Sequence, residues 1–186
     1  MRAFIAIPVP EAVKEQVEKA KSQLLQVNPD IKWVEYNNYH LTLKFLGEIN
    51  GQQVQKIGER LRQVGECSPP FYLAIRGMGF FPNRRKPRVA WIGMDGELNK
   101  AEFLAERIDA YLQDLGFEPE KSHRLHLTLG RIRSERSMEA LLAKVRQIEP
   151  SVSSGLFPVQ AFYLMESRLS QIGPHYRIEQ VFALQE

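Results

Sequence analysis

Residues His40-Leu41-Thr42-Leu43 recur letter for letter as His126-Leu127-Thr128-Leu129. Two of the chain's four histidines head these copies. With average residue usage, such a repeat arises by chance with odds on the order of one in a thousand. It therefore marks an internal duplication. Residues two apart on a strand share a face, so each copy presents His and Thr to one side and two Leu to the other. The Leu side is a core face. The His–Thr side has no packing reason to be polar, and it is polar twice. A lone strand histidine is ordinarily a hydrogen-bonded structural residue; the duplicate argues against that reading. If two similar lobes pair their sheets, two imidazoles and two hydroxyls converge on one cleft.

Working outward, short strands alternate with amphipathic helices. Strands are expected at 2–7, 31–34, 40–46 (ended by Gly47), 71–81, 88–94, 125–129, 156–165 and 175–183. Apolar positions at helical spacing predict helices over 11–26, 51–65, 97–115 and 137–148. Gly116 is placed to stop the third of these. No Gly-rich turn follows a strand, so neither a dinucleotide fingerprint nor a phosphate-binding loop is present. The fold class is α+β, with helices packed on antiparallel sheets.

The chain has 186 residues, enough for a real core in one domain. Hydrophobic residues make up 44% and charged residues 25%, an ordinary globular balance that argues against disorder. The apolar N-terminal stretch is broken by Pro8, and charged helix formers follow, which does not suit a signal peptide. No stretch approaches the roughly 18 apolar residues of a membrane span. The lone Cys67 cannot form an internal disulfide, and a reducing, cytoplasmic setting is expected. A net charge of +3 fits an anionic ligand without specifying one. No heptad repeat or apolar strip is visible, so a monomer is expected.

Two imidazoles titrate near neutrality, with an unperturbed pKa of about 6.5. One can take a proton while the other gives one. That pair suits in-line attack on a phosphodiester, with the base acting on the nucleophile and the acid on the leaving oxygen. Thr42 and Thr128 can donate hydrogen bonds to the non-bridging oxygens, where charge must be held. A strained five-membered cyclic phosphate is already activated, so neither metal nor cofactor is required.

At these residues the chain resembles the two-histidine (2H) phosphoesterases, in the branch of RNA 2′,3′-cyclic 3′-phosphodiesterases also called 2′,5′ RNA ligase-like proteins. The first motif reads His40-Leu-Thr42-Leu-Lys44-Phe45-Leu46-Gly47-Glu48, and the second His126-Leu-Thr128-Leu-Gly130-Arg131. Phe80-Phe81-Pro82 with Pro87 to Gly93 is similar to the family's central hairpin. Tyr163 to Leu169, Gly173 and Tyr176 are similar to its tail. The resemblance spans nearly the whole chain. It implies a single domain over 1–186, built of two intertwined lobes about a pseudo-two-fold axis with a central cleft. It implies that His40 is the proton donor and His126 the proton acceptor, giving a 2′-phosphate. ATP-independent joining of a cyclic phosphate end to a 5′-hydroxyl is implied as well, on RNA ends such as those of tRNA fragments. One departure is Leu125, where the family often has proline before the second motif.

Arg131 is expected to contact phosphate through its guanidinium. Strict alternation puts it on the wrong face, unless Gly130 permits a bulge. Phe45 occupies the corresponding offset from His40 and is read either as a stacking platform for the terminal base or as core. Core is favoured for Trp91. The basic residues Arg84, Arg85, Lys86 and Arg88, and Lys121, Arg124, Arg133 and Arg136 around the second motif, either track an RNA backbone or are solvated surface. His123 and His126 are three apart, but on one strand they face opposite ways, and no zinc signature supports a metal. His175 is read as structural. The rival functions are a phosphodiesterase acting on ADP-ribose cyclic phosphate or a cyclic nucleotide, a non-catalytic RNA-end binder, and a metal hydrolase.

Overall fold

Leu41, Leu43, Leu127 and Leu129 are all at most 5% exposed, while His40, Thr42, His126 and Thr128 are half-buried on the opposite side. The alternation read from the repeat therefore sets which face of each strand meets the core. In the computed structural model, which describes residues 1–185, the two motif strands lie at the centre of a nine-stranded sheet. The elements are β1 (Arg2–Pro8), α1 (Glu11–Leu25), β2 (Ile31–Trp33), β3 (His40–Glu48), α2 (Gly51–Glu66), β4 (Phe71–Phe81) and β5 (Val89–Gly96). There follow α3 (Leu98–Leu112), β6 (His126–Ile132), α4 (Met138–Ile148), β7 (Phe157–Val159), β8 (Ala161–Ser170) and β9 (Gly173–Ala183).

The strand order is β7-β4-β5-β6-β3-β1-β8-β9, with β2 added on β6, and every pairing is antiparallel. The offset that separates His40 from His126 also carries β1 onto β5, α1 onto α3, β3 onto β6, α2 onto α4, and β4 onto β7 and β8. The helices pack accordingly: α1 meets α4 and α2 meets α3, as a two-fold relation requires. The strand that follows the second helix of each repeat crosses over. β4 pairs with β5 in the half that holds β6, and β8 pairs with β1 in the half that holds β3. The fold is thus α+β, a curled antiparallel sheet with its helices packed in pairs.

Several boundaries move by a few residues, β6 for one running on to Ile132 rather than ending at 129, and two differences bear on the sheet. β3 does not stop at Gly47, because Gly47 takes a positive φ and stays paired with Ala3. The strand expected over 156–165 is divided at Gln160. β7 serves β4 in one half, and β8 serves β1 in the other. α2 begins with a reciprocal capping box between Asn50 and Gln53. No helix among the described residues is long and apolar enough to cross a membrane.

Candidate active site

β3 and β6 meet at one registered pair, Leu41 with Leu127. Antiparallel geometry then sets His40 across from Thr128 and Thr42 across from His126, all four on the face opposite the leucines. The two histidines are held alike. His40 Nδ1 lies 2.7 Å from the Asn38 carbonyl oxygen. His126 Nδ1 lies 2.7 Å from that of Arg124. A carbonyl only accepts, so each Nδ1 carries the proton and each Nε2 is left for chemistry. His40 Nε2 lies 2.8 Å from Thr42 Oγ1, where a neutral ring accepts from the hydroxyl.

Both motif strands then break phase at the same point. Along β1 the partners jump from Thr42 to Lys44, and along β5 from Thr128 to Gly130. The unpaired residue in each case is the second leucine. This bulge reverses the alternation: Lys44 and Gly130 turn inward, and Phe45 and Arg131 turn out to the His–Thr side, where both are exposed. Phe45 is 70% exposed, which excludes a core role. The tolerance for Gly130 is set by β2. A Cβ there would sit 2.5 Å from Ile31 Cγ2 and 2.7 Å from the Lys32 carbonyl oxygen.

Aromatic rings flank both imidazoles. Phe4 lies 4.9 Å and Tyr176 5.3 Å from the His40 ring, and Phe81 lies 4.9 Å from His126. Trp91, expected in the core, is half-buried near His126, because its register opposite Thr128 places it on the polar face. These contacts join residues distant in sequence, so no local pattern could have announced them. Burial, then repulsion from His126, hold the His40 pKa below its ordinary value, against the opposing pull of the Asn38 carbonyl. A cavity of about 650 Å³ borders the motifs, lined by Thr42, Phe45, Phe81 and His126 and walled by α3 and residues 120–125. His40, Thr128 and Arg131 lie outside its lining.

Several flanking residues do other work. His123 is not on the strand, which begins only at His126; its Nε2 lies 2.8 Å from Asp109 Oδ2. Arg133 pairs with Asp30, and Arg136 donates to the carbonyls of Asn28 and Pro29, so both fasten the end of β6 to the turn after α1. Arg84 pairs with Glu149. Arg85, Lys86, Arg124 and Arg131 are exposed without an ion-pair partner among the described residues. Leu125 packs partly buried against the core. His175 is exposed in the β8–β9 hairpin.

A duplicated His-x-Thr pair meeting across the middle of one pseudo-symmetric sheet defines a two-histidine phosphoesterase. The family model of LigT-like phosphoesterases matches the chain twice in succession, over residues 7–91 and 92–176. The chain belongs to this LigT-like phosphoesterase family, and it is an enzyme. The RNA 2′,3′-cyclic phosphodiesterase of Archaeoglobus fulgidus is 36% identical over 184 residues, covering 98% of this chain and 99% of that protein. That of Methanothermobacter thermautotrophicus is 32% identical over 184 residues, with 99% of each chain covered. Among solved structures, TT0787 of Thermus thermophilus superposes with a TM-score of 0.80 at 28% identity, covering 99% of this chain and 98% of its own.

Proposed function

We propose that this enzyme opens the 2′,3′-cyclic phosphate at the end of an RNA strand to leave a 2′-phosphomonoester. The observation that carries this reading is the matched pair of imidazoles, each with Nδ1 tied to a carbonyl two residues earlier, and with the Thr42 hydroxyl beside His40. The names of the full-length relatives support the substrate class.

In this reading His126 Nε2 takes a proton from water as the water oxygen bonds to phosphorus. The bond to the 3′ oxygen breaks in line, and His40 Nε2–H protonates that oxygen. Thr42 and Thr128 donate to the non-bridging oxygens. The products are a 2′-phosphate and a 3′-hydroxyl. Proton exchange with solvent restores the two rings. The His40 pKa is held below its ordinary value in the free cleft, and the charge of the arriving phosphate, which offsets burial and the repulsion from His126, favours its protonation. Arg131 contacts phosphate and Phe45 stacks on the terminal base, from equivalent bulge positions. A 5′-hydroxyl in place of water gives a 2′,5′ linkage by the same proton transfers. The enzyme works as a cytoplasmic monomer on RNA ends such as those of tRNA fragments, and no metal or cofactor takes part.

The test incubates the protein, with EDTA, with a short RNA ending in a 2′,3′-cyclic phosphate. Conversion to the 2′-phosphate is expected. No conversion, with or without added metal, points to ADP-ribose cyclic phosphate or a cyclic nucleotide as substrate. A substrate with sulphur in place of the 3′ oxygen tests the roles. Sulphur leaves without an acid, so this substrate should rescue His40→Ala and not His126→Ala; the reverse pattern exchanges the two assignments.

A further inference from the structure

Among the buried charged groups that this chemistry does not use, one lies behind the second motif. Asp109, on α3, is 4% exposed and makes three polar contacts. Its Oδ1 accepts from Lys44 Nζ at 2.6 Å. Its Oδ2 accepts from the Glu120 backbone N–H at 3.0 Å and faces His123 Nε2 at 2.8 Å. Lys44 Nζ also donates to the Glu118 carbonyl at 2.6 Å. All of these partners except Lys44 belong to residues 117–125, which form no helix or strand. That segment ends at Arg124 and Leu125, immediately before His126.

The contrast with His40 shows what this cluster does. The carbonyl that holds His40 belongs to Asn38, in a short 3-10 turn (Tyr36–Asn38). Asn38 is fixed twice, by its N–H to the Glu35 carbonyl at 2.8 Å and by its Nδ2 to the Pro174 carbonyl at 2.9 Å. The carbonyl that holds His126 belongs to Arg124, in a segment with no ladder of its own. A buried ion pair is weak evidence for stability, since apolar residues of similar volume often serve as well. Here the carboxylate gathers a lysine, a backbone N–H and an imidazole around one irregular segment, which apolar side chains cannot do.

We propose that Asp109 is a positioning residue for His126. From α3 it fastens the 117–125 segment, with Lys44 and His123 as its ties. The Arg124 carbonyl then stays opposite Nδ1, and Nε2 stays turned to the cleft. The proposal rests on His126 being one of the two proton-transfer groups, and the experiment separates failure of that reading from failure of this one.

The test is Asp109→Asn, read by ¹⁵N signals of the histidine rings and by steady-state kinetics on the cyclic-phosphate RNA. Expected are mixed tautomers and rapid Nδ1–H exchange at His126, with His40 unchanged as the internal control. With them kcat should fall by about ten- to a hundredfold with KM little altered, the scale of a misplaced reacting group. His123→Gln, which cuts only one tie, should move the same signals less. Unchanged His126 signals overturn the proposal whether or not activity falls. Mixed tautomers with full activity leave the positioning intact and overturn the role of His126. Should Asp109→Asn fail to fold, the double variant K44M/D109L removes both charges together and is held to the same readouts.

Discussion

Each imidazole in the cleft has one nitrogen committed to a backbone carbonyl, and this gives the two rings testable identities. His40→Ala and His126→Ala should each abolish turnover of the cyclic phosphate while leaving the circular dichroism spectrum unchanged; substantial activity in either would remove that residue from the reaction. Thr42→Ala and Thr128→Ala should lose less, on the order of ten- to a thousandfold in kcat, as for a single donor to a developing charge. The pH profile carries its own signature. If His40 must be protonated, rate falls as pH rises through its pKa. In the free enzyme that pKa lies below its ordinary value, so the alkaline limb of kcat/KM should lie at lower pH than that of kcat. In the complex the phosphate raises it, so the alkaline limb of kcat should lie higher. Coincident limbs would mean that substrate charge does not act on His40. The linkage to stability has the opposite sense. A histidine with a depressed folded pKa favours the fold above the unfolded value near 6.5, and that contribution is lost as pH falls through the folded value.

The bulge is the element that reconciles the motif with the site. Strict alternation sends Arg131 away from His126, and the sequence alone offered only Gly130 as a hint. The cause is tertiary: the partners of β3 and β6 each leave one leucine unpaired, at the same point of each repeat. Periodicity does show which side of each strand meets the core. It carries no trace of a slip whose cause is a neighbouring strand. Gly130 and Lys44 follow the repeat at the same offset but share no chemistry. They are equivalent positions of the two repeats, left small where β2 closes over β6 and filled by a charged stem where Asp109 waits. Gly130→Ala should therefore lower the melting temperature, by about 1–3 kcal/mol in stability, because Ile31 and the Lys32 backbone must move. An unchanged melting curve would mean that β2 yields freely. The kinetic test of Arg131 belongs with this variant, since loosening β2 should tilt the guanidinium and raise KM more than it lowers kcat.

At the scale of the molecule, the sequence made the duplication legible and left its weave hidden. Strand and helix spans were readable from period and turn residues, because each is a local pattern. The pairing of β4 with β5 is a local hairpin and was legible; that of β8 with β1 joins the two ends of the chain, which no window contains. The basic residues divide the same way. Arg133, Arg136 and Arg84, read in sequence as either an RNA-tracking or a solvated surface, are occupied with Asp30, with the carbonyls of Asn28 and Pro29, and with Glu149. Arg85, Lys86, Arg124 and Arg131 remain for a ligand. Added salt should raise KM for an RNA oligomer more than for a mononucleotide 2′,3′-cyclic phosphate. Arg85→Ala/Lys86→Ala should reduce that salt slope by about one for each phosphate no longer neutralised. Equal salt dependence for the two substrates would confine recognition to the terminal nucleotide.

The crossing of β4 and β8 bears on ancestry as well as on architecture. Severed between β4 and β5, the polypeptide yields two fragments, each holding the arm that completes the other. Alone, either fragment exposes bare strand edges and is prone to aggregate. Mixed, they have what two subunits need to exchange arms about a dyad. A single-length forebear would thus have been an obligate arm-swapped homodimer with its catalytic centre on its own rotation axis. Duplication and fusion of its gene would then have freed Phe45 and Arg131 to diverge.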